Sequence, residues 1–279
     1  MLTSLVLTLR PLESGSKPAN LGRAVHAFLL RWVQAADPAL AATLHDADPP
    51  RPFTCSNLVG GRRRGGSLRL EPDQDYWLRL TSLSAELSAL LRETLLDHPP
   101  DTLELDGAPF RVLVATTDPA RHPWAGSASY QDLAAAHLLA GSTPSSRLGL
   151  SFATPTTFRS GGMNVPLPLP ERVFGSLLDR WQAFAPVAVN PELRRFAAEQ
   201  VAVARYRLRT RVLPFKPGAM QVGFTGECHY VALHHDRYWL SVLHLLAGYA
   251  FYAGVGYQTA AGMGQARVVR KETGDAGDT

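Results

Sequence analysis

One order of elements, met twice along the chain, constrains the fold most. Residues 2–10 (LTSLVLTLR) alternate apolar and polar as a strand does, and RAVHAFLLRWVQAA follows with helical spacing. Asp37 and Pro38 suit the N-cap and first position of a short helix, DPALAATLH, which must stop at the prolines of DADPPRP. FTCSNLVGG and YWLRLTSLS read as strands joined by GGRRRGGSLRL, and SAELSALLRETLLD as an amphipathic helix with a serine N-cap. DTLELDGAPFRVLVATT is a strand pair turning at Asp106-Gly107. The order is β-α-β-β-α-β. It begins again with the strand LGLSFATPTTF and the helix ERVFGSLLDRWQAF. A further helical piece, PELRRFAAEQ, precedes the strands VAVARYRLRTRVLPF and MQVGFTGECHYVAL, the apolar helix DRYWLSVLHLLAGYAFYA and a closing strand, QARVVRK. Two split-βαβ units predict an α+β protein of two tandem ferredoxin-like (RRM-like, βαββαβ) domains. They fall at 1–120 and 147–279, with the looser 121–146 as a linker region.

Composition narrows the class. Of 279 residues, 46% are hydrophobic and 19% charged, which suits a packed globular core, and no apolar run reaches the 18 or more residues of a membrane span. The first residues lack the basic and small-residue pattern of a secretory signal. Cys55 and Cys228 are the only cysteines and have no metal-ligand spacing, which points to a reducing, cytoplasmic setting and no structural zinc. The ECHYVALHHD segment gathers His229, His234 and His235, but His234 and His235 alternate across a strand and read as a solvated strand end. Net charge is +4, and 25 of the 28 basic residues are arginine, the side chain that forks onto phosphates and stacks on bases.

Near the end, AGVGYQTAAGMGQARVV holds Gly254, Gly256, Gly262 and Gly264 within eleven residues. The run follows a helix and precedes a strand, the reverse of a Rossmann fingerprint. Thr259 stands where its third glycine would be, and no Walker A sequence occurs. A nucleotide cofactor is therefore not expected. What remains is a glycine-rich turn able to offer backbone amides to a phosphate.

The ending GFTGECHYVAL…LLAGYAFYAGVGYQTAAGMGQARVV resembles the C-terminal signature of the CRISPR precursor-RNA-processing endoribonucleases of the RAMP superfamily, the Cas-six family. LGRAVHAFLLRW, LHDADPPRPFTCSNL and FATPTTFRSGGMNVPLPLPERVFGSLLDRW resemble family blocks in the same order, so the likeness spans about residues 2–270. It implies two ferredoxin-like domains and metal-free cleavage of CRISPR repeat RNA (precursor crRNA), with no cofactor. The products would carry a 5′-hydroxyl and a 2′,3′-cyclic phosphate. It further implies that Gly254, Gly256, Gly262 and Gly264, with Gln258, Thr259 and Gln265 beside them, support RNA binding or the fold.

Metal-free cleavage needs a base for the 2′-hydroxyl, an acid for the leaving 5′-oxygen and positive charge at the phosphorane. His45 ends the short helix, where the helix dipole favours a cationic ring, and it occupies the family's LH position; it is the expected general acid. Arg51, six residues on, stands where the family often has lysine, and its expected role is charge stabilisation only. His26, in the first long helix, is a further catalytic candidate. This helix carries Trp32 and no tyrosine where relatives place one, so the general base stays unassigned. Arg62, Arg63 and Arg64 between glycines, and Arg205, Arg207, Arg209 and Arg211 at strand period two, are the expected phosphate-gripping residues. The rival reading is a relative that grips the repeat without cutting it, as a subunit of a CRISPR effector complex. A homodimer is a further arrangement known in the family.

Overall fold

A computed structural model describes residues 1–46, 48–216 and 219–269. The first unit runs β1 (Leu2–Pro11), β2 (Gly15–Pro18), α1 (Gly22–Ala36), α2 (Pro38–Asp46), β3 (Phe53–Cys55), β4 (Arg63–Arg64), β5 (Ser67–Leu70), β6 (Tyr76–Ser82), α3 (Ala85–Leu91), β7 (Thr102–Leu105) and β8 (Ala108–Thr116). Local chemistry sets several of these boundaries. Asp37 accepts a hydrogen bond from the Leu40 amide at 2.9 Å to start α2, and Ser84 accepts one from the Leu87 amide at 3.3 Å to start α3. Asp106 and Gly107 both have positive φ, 51° and 73°, and close the tight β7–β8 hairpin.

The main sheet has the order β3-β6-β1-β8-β7. Leu5, Leu7 and Leu9 of β1 share a buried core with Val25, Phe28, Leu29 and Val33 of α1 and Leu87 and Leu91 of α3. Those α1 positions recur at helical spacing along one face, so the helix buries a single stripe on the sheet. The GGRRRGG segment is more than a connector. With SLRL it forms a small separate sheet, β2-β5-β4, whose turn passes through Gly65 and Gly66.

The second unit comprises β10 (Arg147–Thr156), β11 (Phe158–Ser160), β12 (Met163–Val165), α5 (Pro170–Phe184), α6 (Leu193–Gln200), β13 (Val201–Lys216), β14 (Ala219–Ala232), α7 (Arg237–Ala253) and β15 (Ala266–Val268), after β9 (Gly126–Ala128) and α4 (Tyr130–Leu138). Its sheet, β13-β14-β10-β15, follows the same pattern as the first: the second and third strands of the motif lie on one side of the opening strand and the last on the other. Phe174, Leu177 and Trp181 of α5 pack with Leu243, Leu246 and Tyr249 of α7 over Phe152, Phe224 and Tyr230 of the sheet. Arg270 and Lys271, the end of the expected closing strand, lie outside the described residues.

The 121–146 region is built into both units. Its strand β9 extends the first sheet, with Leu2 opposite Ala128 and Ser4 opposite Gly126. Tyr130 of α4 belongs to the second core and donates from its hydroxyl to the Leu83 carbonyl at 2.9 Å. The two units also meet through the open face of the first sheet. Val6 packs there with Trp124, Ala125, Trp77 and Phe251, so β1 is buried on both sides as a central strand of a covered sheet is.

At the centre of this contact stands Arg79 of β6, 1% exposed. Its Nε donates to Ser4 Oγ at 2.7 Å, and its terminal nitrogens donate to Gln265 Oε1 and the Phe251 carbonyl. The guanidinium carbon lies 4.9 Å from the Trp124 ring centroid and 4.5 Å from that of Phe251. Burial pushes its pKa down to about 9, so the group remains protonated at neutral pH, held by carbonyl dipoles and aromatic faces in place of a carboxylate.

Candidate nucleic-acid interface

The glycine run lies largely inside the protein. Gly254, Val255, Thr259 and residues 261–266 are buried. Its amides already have partners within the chain: Gly254 donates to Ala250 O at 3.0 Å, Gly256 to Ser176 Oγ at 3.2 Å, Gly262 to Cys55 O at 3.0 Å and Gly264 to Pro155 O at 3.1 Å. A row of free amides at these four glycines, the expectation from sequence, is therefore corrected: they serve backbone packing. At Gly264 (φ 71°) a Cβ would sit 2.2 Å from the Val255 carbonyl oxygen, which leaves glycine as the residue that fits. Gln265, expected beside the loop as a polar neighbour, is buried and accepts from Arg79.

The outer turn of the run forms one wall of a cleft of about 610 Å³ between the units. His26, Pro49, Pro50 and Arg51 come to it from the first unit, and Phe158, Arg159, Arg172, Arg180, Arg194 and residues 256–261 from the second. Five arginines face two carboxylates, Glu171 and Asp179, and Asp179 is paired with Arg194. The excess positive charge suits a polyanion. Arg180 is buried and pins the loop, donating to Gly256 O at 2.7 Å and to Thr259 Oγ1 at 3.2 Å; burial lowers its pKa. Arg159 lies 5.6 Å from the centroid of Tyr257, an exposed ring at the cleft mouth.

His26 is half-buried against Phe53, with ring centroids 5.5 Å apart. Its Nδ1 lies 3.0 Å from the Ala260 carbonyl oxygen. Burial holds its pKa below the usual histidine value; the Ala260 bond opposes that shift, and the nearby positive charges of Arg51 and Arg23 add to it. Arg51 reaches back to the end of α2, donating to the carbonyls of Leu44 and His45, the latter at 3.0 Å. It thus caps a helix C-terminus while lining the cleft. His45 is exposed on the last turn of α2, where Arg51 bonds its backbone carbonyl, and it is not among the residues that line the cleft.

The cleft thus gathers His26, Arg51, Gly256, Gln258 and Thr259 of the residues expected from sequence, while Gly254, Gly262 and Gly264 lie beneath it. Arg62, Arg63 and Arg64 are exposed on the small sheet, away from the cleft lining, and Arg63 folds back onto the Leu58 carbonyl at 2.5 Å. Arg205, Arg207, Arg209 and Arg211 are exposed along β13, opposite His229, Glu227, Thr225 and Gly223 of β14. Leu208 between them packs on the second core, so the four arginines line the opposite, open face of the sheet. Glu227 lies opposite Arg207 and interrupts the positive stripe. The sequence reading missed Arg159, Arg172, Arg180 and Arg194, which are scattered over three elements. The one local signal was Arg172 and Arg180, eight apart on α5 and so near one helical face. Among the described residues no group of three or more His, Cys, Asp or Glu could hold a metal ion, and no helix is long and apolar enough to cross a membrane.

Comparison with known proteins agrees with this architecture. The model of the CRISPR Cas6 N-terminal domain matches residues 1–135, and that of the CRISPR-associated endoribonuclease Cas6 matches residues 150–266. A solved Cas6 product complex is 32% identical, covers 96% of this chain and 100% of its own, and superposes with a TM-score of 0.80. The chain belongs to the Cas6 family. Thermus thermophilus Cas6 superposes at TM-score 0.72 with 29% identity, over 96% of this chain and 98% of that one. The CRISPR-associated endoribonuclease Cas6 of Mycobacterium tuberculosis (strain CDC 1551 / Oshkosh) is 31% identical over 121 residues, which are 43% of this chain and 38% of that relative's length. A Cas6-related protein from Pyrococcus furiosus shares the fold at 13% identity and TM-score 0.63. Cas6 membership thus agrees with the tandem ferredoxin-like reading.

Proposed function

We propose that the protein cleaves CRISPR repeat RNA at the cleft between its two units, by attack of a ribose 2′-hydroxyl on the adjacent phosphate. The bond from the 2′-oxygen to phosphorus forms as the bond to the 5′-oxygen breaks, leaving a 2′,3′-cyclic phosphate and a 5′-hydroxyl. His26, which its burial favours in the neutral form at neutral pH, takes the 2′-hydroxyl proton; His45 supplies a proton to the departing 5′-oxygen. Arg51, with the second unit's cleft arginines, offsets the charge of the phosphorane. No metal or cofactor enters this scheme. The observation that carries it is the convergence of His26 and Arg51 with Arg159, Arg172 and Arg194 around one cleft to which both units contribute. Membership of a family whose solved relatives include a product complex and a substrate mimic complex supports the same reading.

The deciding experiment incubates the protein with the host's repeat RNA, with and without EDTA, and maps the ends. Unchanged cleavage in EDTA with a cyclic-phosphate terminus is expected. Tight binding without product after long incubation would assign the non-catalytic role, that of a repeat-holding subunit of an effector complex. The oligomeric state of the active species, monomer or homodimer, follows from sedimentation of the same samples.

The base assignment fixes a pH dependence. A base must be deprotonated to act, and the His26 pKa lies below the ordinary 6.5. The acidic limb of the single-turnover rate constant, where His26 takes up a proton, should therefore be centred below that value, and a fall at high pH reports the proton donor instead. In His26→Gln, the residual rate should lack the acidic limb. An acidic limb centred above pH 7 in the unmodified protein would exclude His26 as the base.

A further inference from the structure

The bond between His26 and Ala260 joins residues 234 positions apart, one in each unit. A carbonyl oxygen can only accept, so the His26 nitrogen facing it, Nδ1, carries the hydrogen. In the neutral ring the other nitrogen, Nε2, is then an unprotonated acceptor. We infer that the glycine run is a positioning element: through the Ala260 carbonyl it sets the tautomer and tilt of His26, so that Nε2 is the ring nitrogen available to the cleft. This rests on the base assigned to His26 above and deepens it.

Three contacts hold the Ala260 carbonyl in place. The turn Thr259–Ala261 is clamped from below by Gly262, whose amide donates to Cys55 O at 3.0 Å, which ties it to β3. From one side Arg180 bonds Gly256 O and Thr259 Oγ1. From the other, α1 meets the turn with no side chain between them: a Cβ on Gly22 would lie 2.3 Å from Ala261 O and 2.7 Å from the Gly262 Cα. Gly22 begins the helix that carries His26 one turn later, so a single backbone contact sets the distance from helix to turn. The Phe53 ring closes a further side of the imidazole. Arg51 and Arg23 are the charged groups that act on it. Neither supplies an acceptor, which leaves the tautomer to Ala260.

The test reads the tautomer directly. Protein labelled with ¹⁵N-histidine, with the His26 signals assigned by difference from His26→Gln, is measured by long-range proton–nitrogen correlation above pH 7. The expected spectrum shows one neutral form with hydrogen on Nδ1. Hydrogen on Nε2, or the mixture found for a free imidazole, overturns the inference. Gly22→Ala then forces helix and turn apart while leaving His26 in the sequence. The expected result is a mixed His26 tautomer and a cleavage rate lowered ~10-fold, a fraction of what a lost acid–base group costs, with repeat-RNA affinity within about twofold. A folded Gly22→Ala protein that keeps the single tautomer also overturns it; if the variant does not fold, the spectrum of the unmodified chain alone decides. Because that spectrum involves no catalysis, the two readings separate: a hydrogen fixed on Nδ1 together with unimpaired cleavage by His26→Gln would retain the positioning contact and remove the catalytic base.

Discussion

Replacing His45 with alanine is expected to slow repeat-RNA cleavage ~10²–10⁴-fold, the usual cost of a lost general acid, while changing affinity for the RNA by less than about twofold. His45 is exposed, and its ring supports no core packing. The variant's stability should therefore stay within about 0.5 kcal/mol, as for other surface substitutions. Loss of rate without loss of fold or affinity would leave proton transfer as the role that remains. His45→Ala cleaving at the unmodified rate would remove the acid from this position. Arg51 complicates a nearby control, because it bonds the Leu44 and His45 carbonyls and so supports the helix end as well as lining the cleft. His45→Ala is the cleaner probe because it leaves those backbone bonds intact.

The largest structural effect is expected at Arg79. Arg79→Ala should lower stability by about 3–5 kcal/mol, combining a cavity with the loss of buried charge-assisted hydrogen bonds. Ser4 Oγ, Gln265 Oε1 and the Phe251 carbonyl would lose their donor, and the space between Trp124 and Phe251 would open. Arg79→Lys keeps a charge but loses the fork that reaches three separate acceptors, so it should recover less than half of the loss. Urea unfolding followed by tryptophan fluorescence and circular dichroism measures both. A shift below about 1 kcal/mol for Arg79→Ala would mean that the two units hold together without this side chain.

Elements specified by neighbouring residues were legible in the sequence. Asp37 and Pro38 mark the start of α2, Ser84 that of α3, and Asp106-Gly107 the hairpin, because each signal acts within four residues. Arg79 was not legible. In YWLRLTS it alternates with leucines as a solvent-facing residue would, and the rings over it, Trp124 and Phe251, are distant in sequence. The glycine run was visible as a motif but its burial was not, since the acceptors of its amides include Cys55 and Pro155 on other strands. The cleft was half legible. His26 and Arg51 belong to recognisable blocks, whereas Arg159, Arg172 and Arg194 become neighbours only after β11, α5 and α6 pack.

The cross-connections of Arg79 and His26 bear on biosynthesis. Translation proceeds at roughly 5–20 residues per second. The partners of Arg79 at Phe251 and Gln265 emerge 172 and 186 residues after it, and Ala260 emerges 234 residues after His26. For a time on the order of ten to fifty seconds at that rate the nascent first half holds a guanidinium with Ser4 but without its other two acceptors, and an imidazole without its anchor. A product truncated after Arg51 and before Phe158 would carry His26, His45 and Arg51 yet lack the groove's far wall, so a ribosome that stalls there is expected to yield an inert fragment, not a nuclease loose among cellular transcripts.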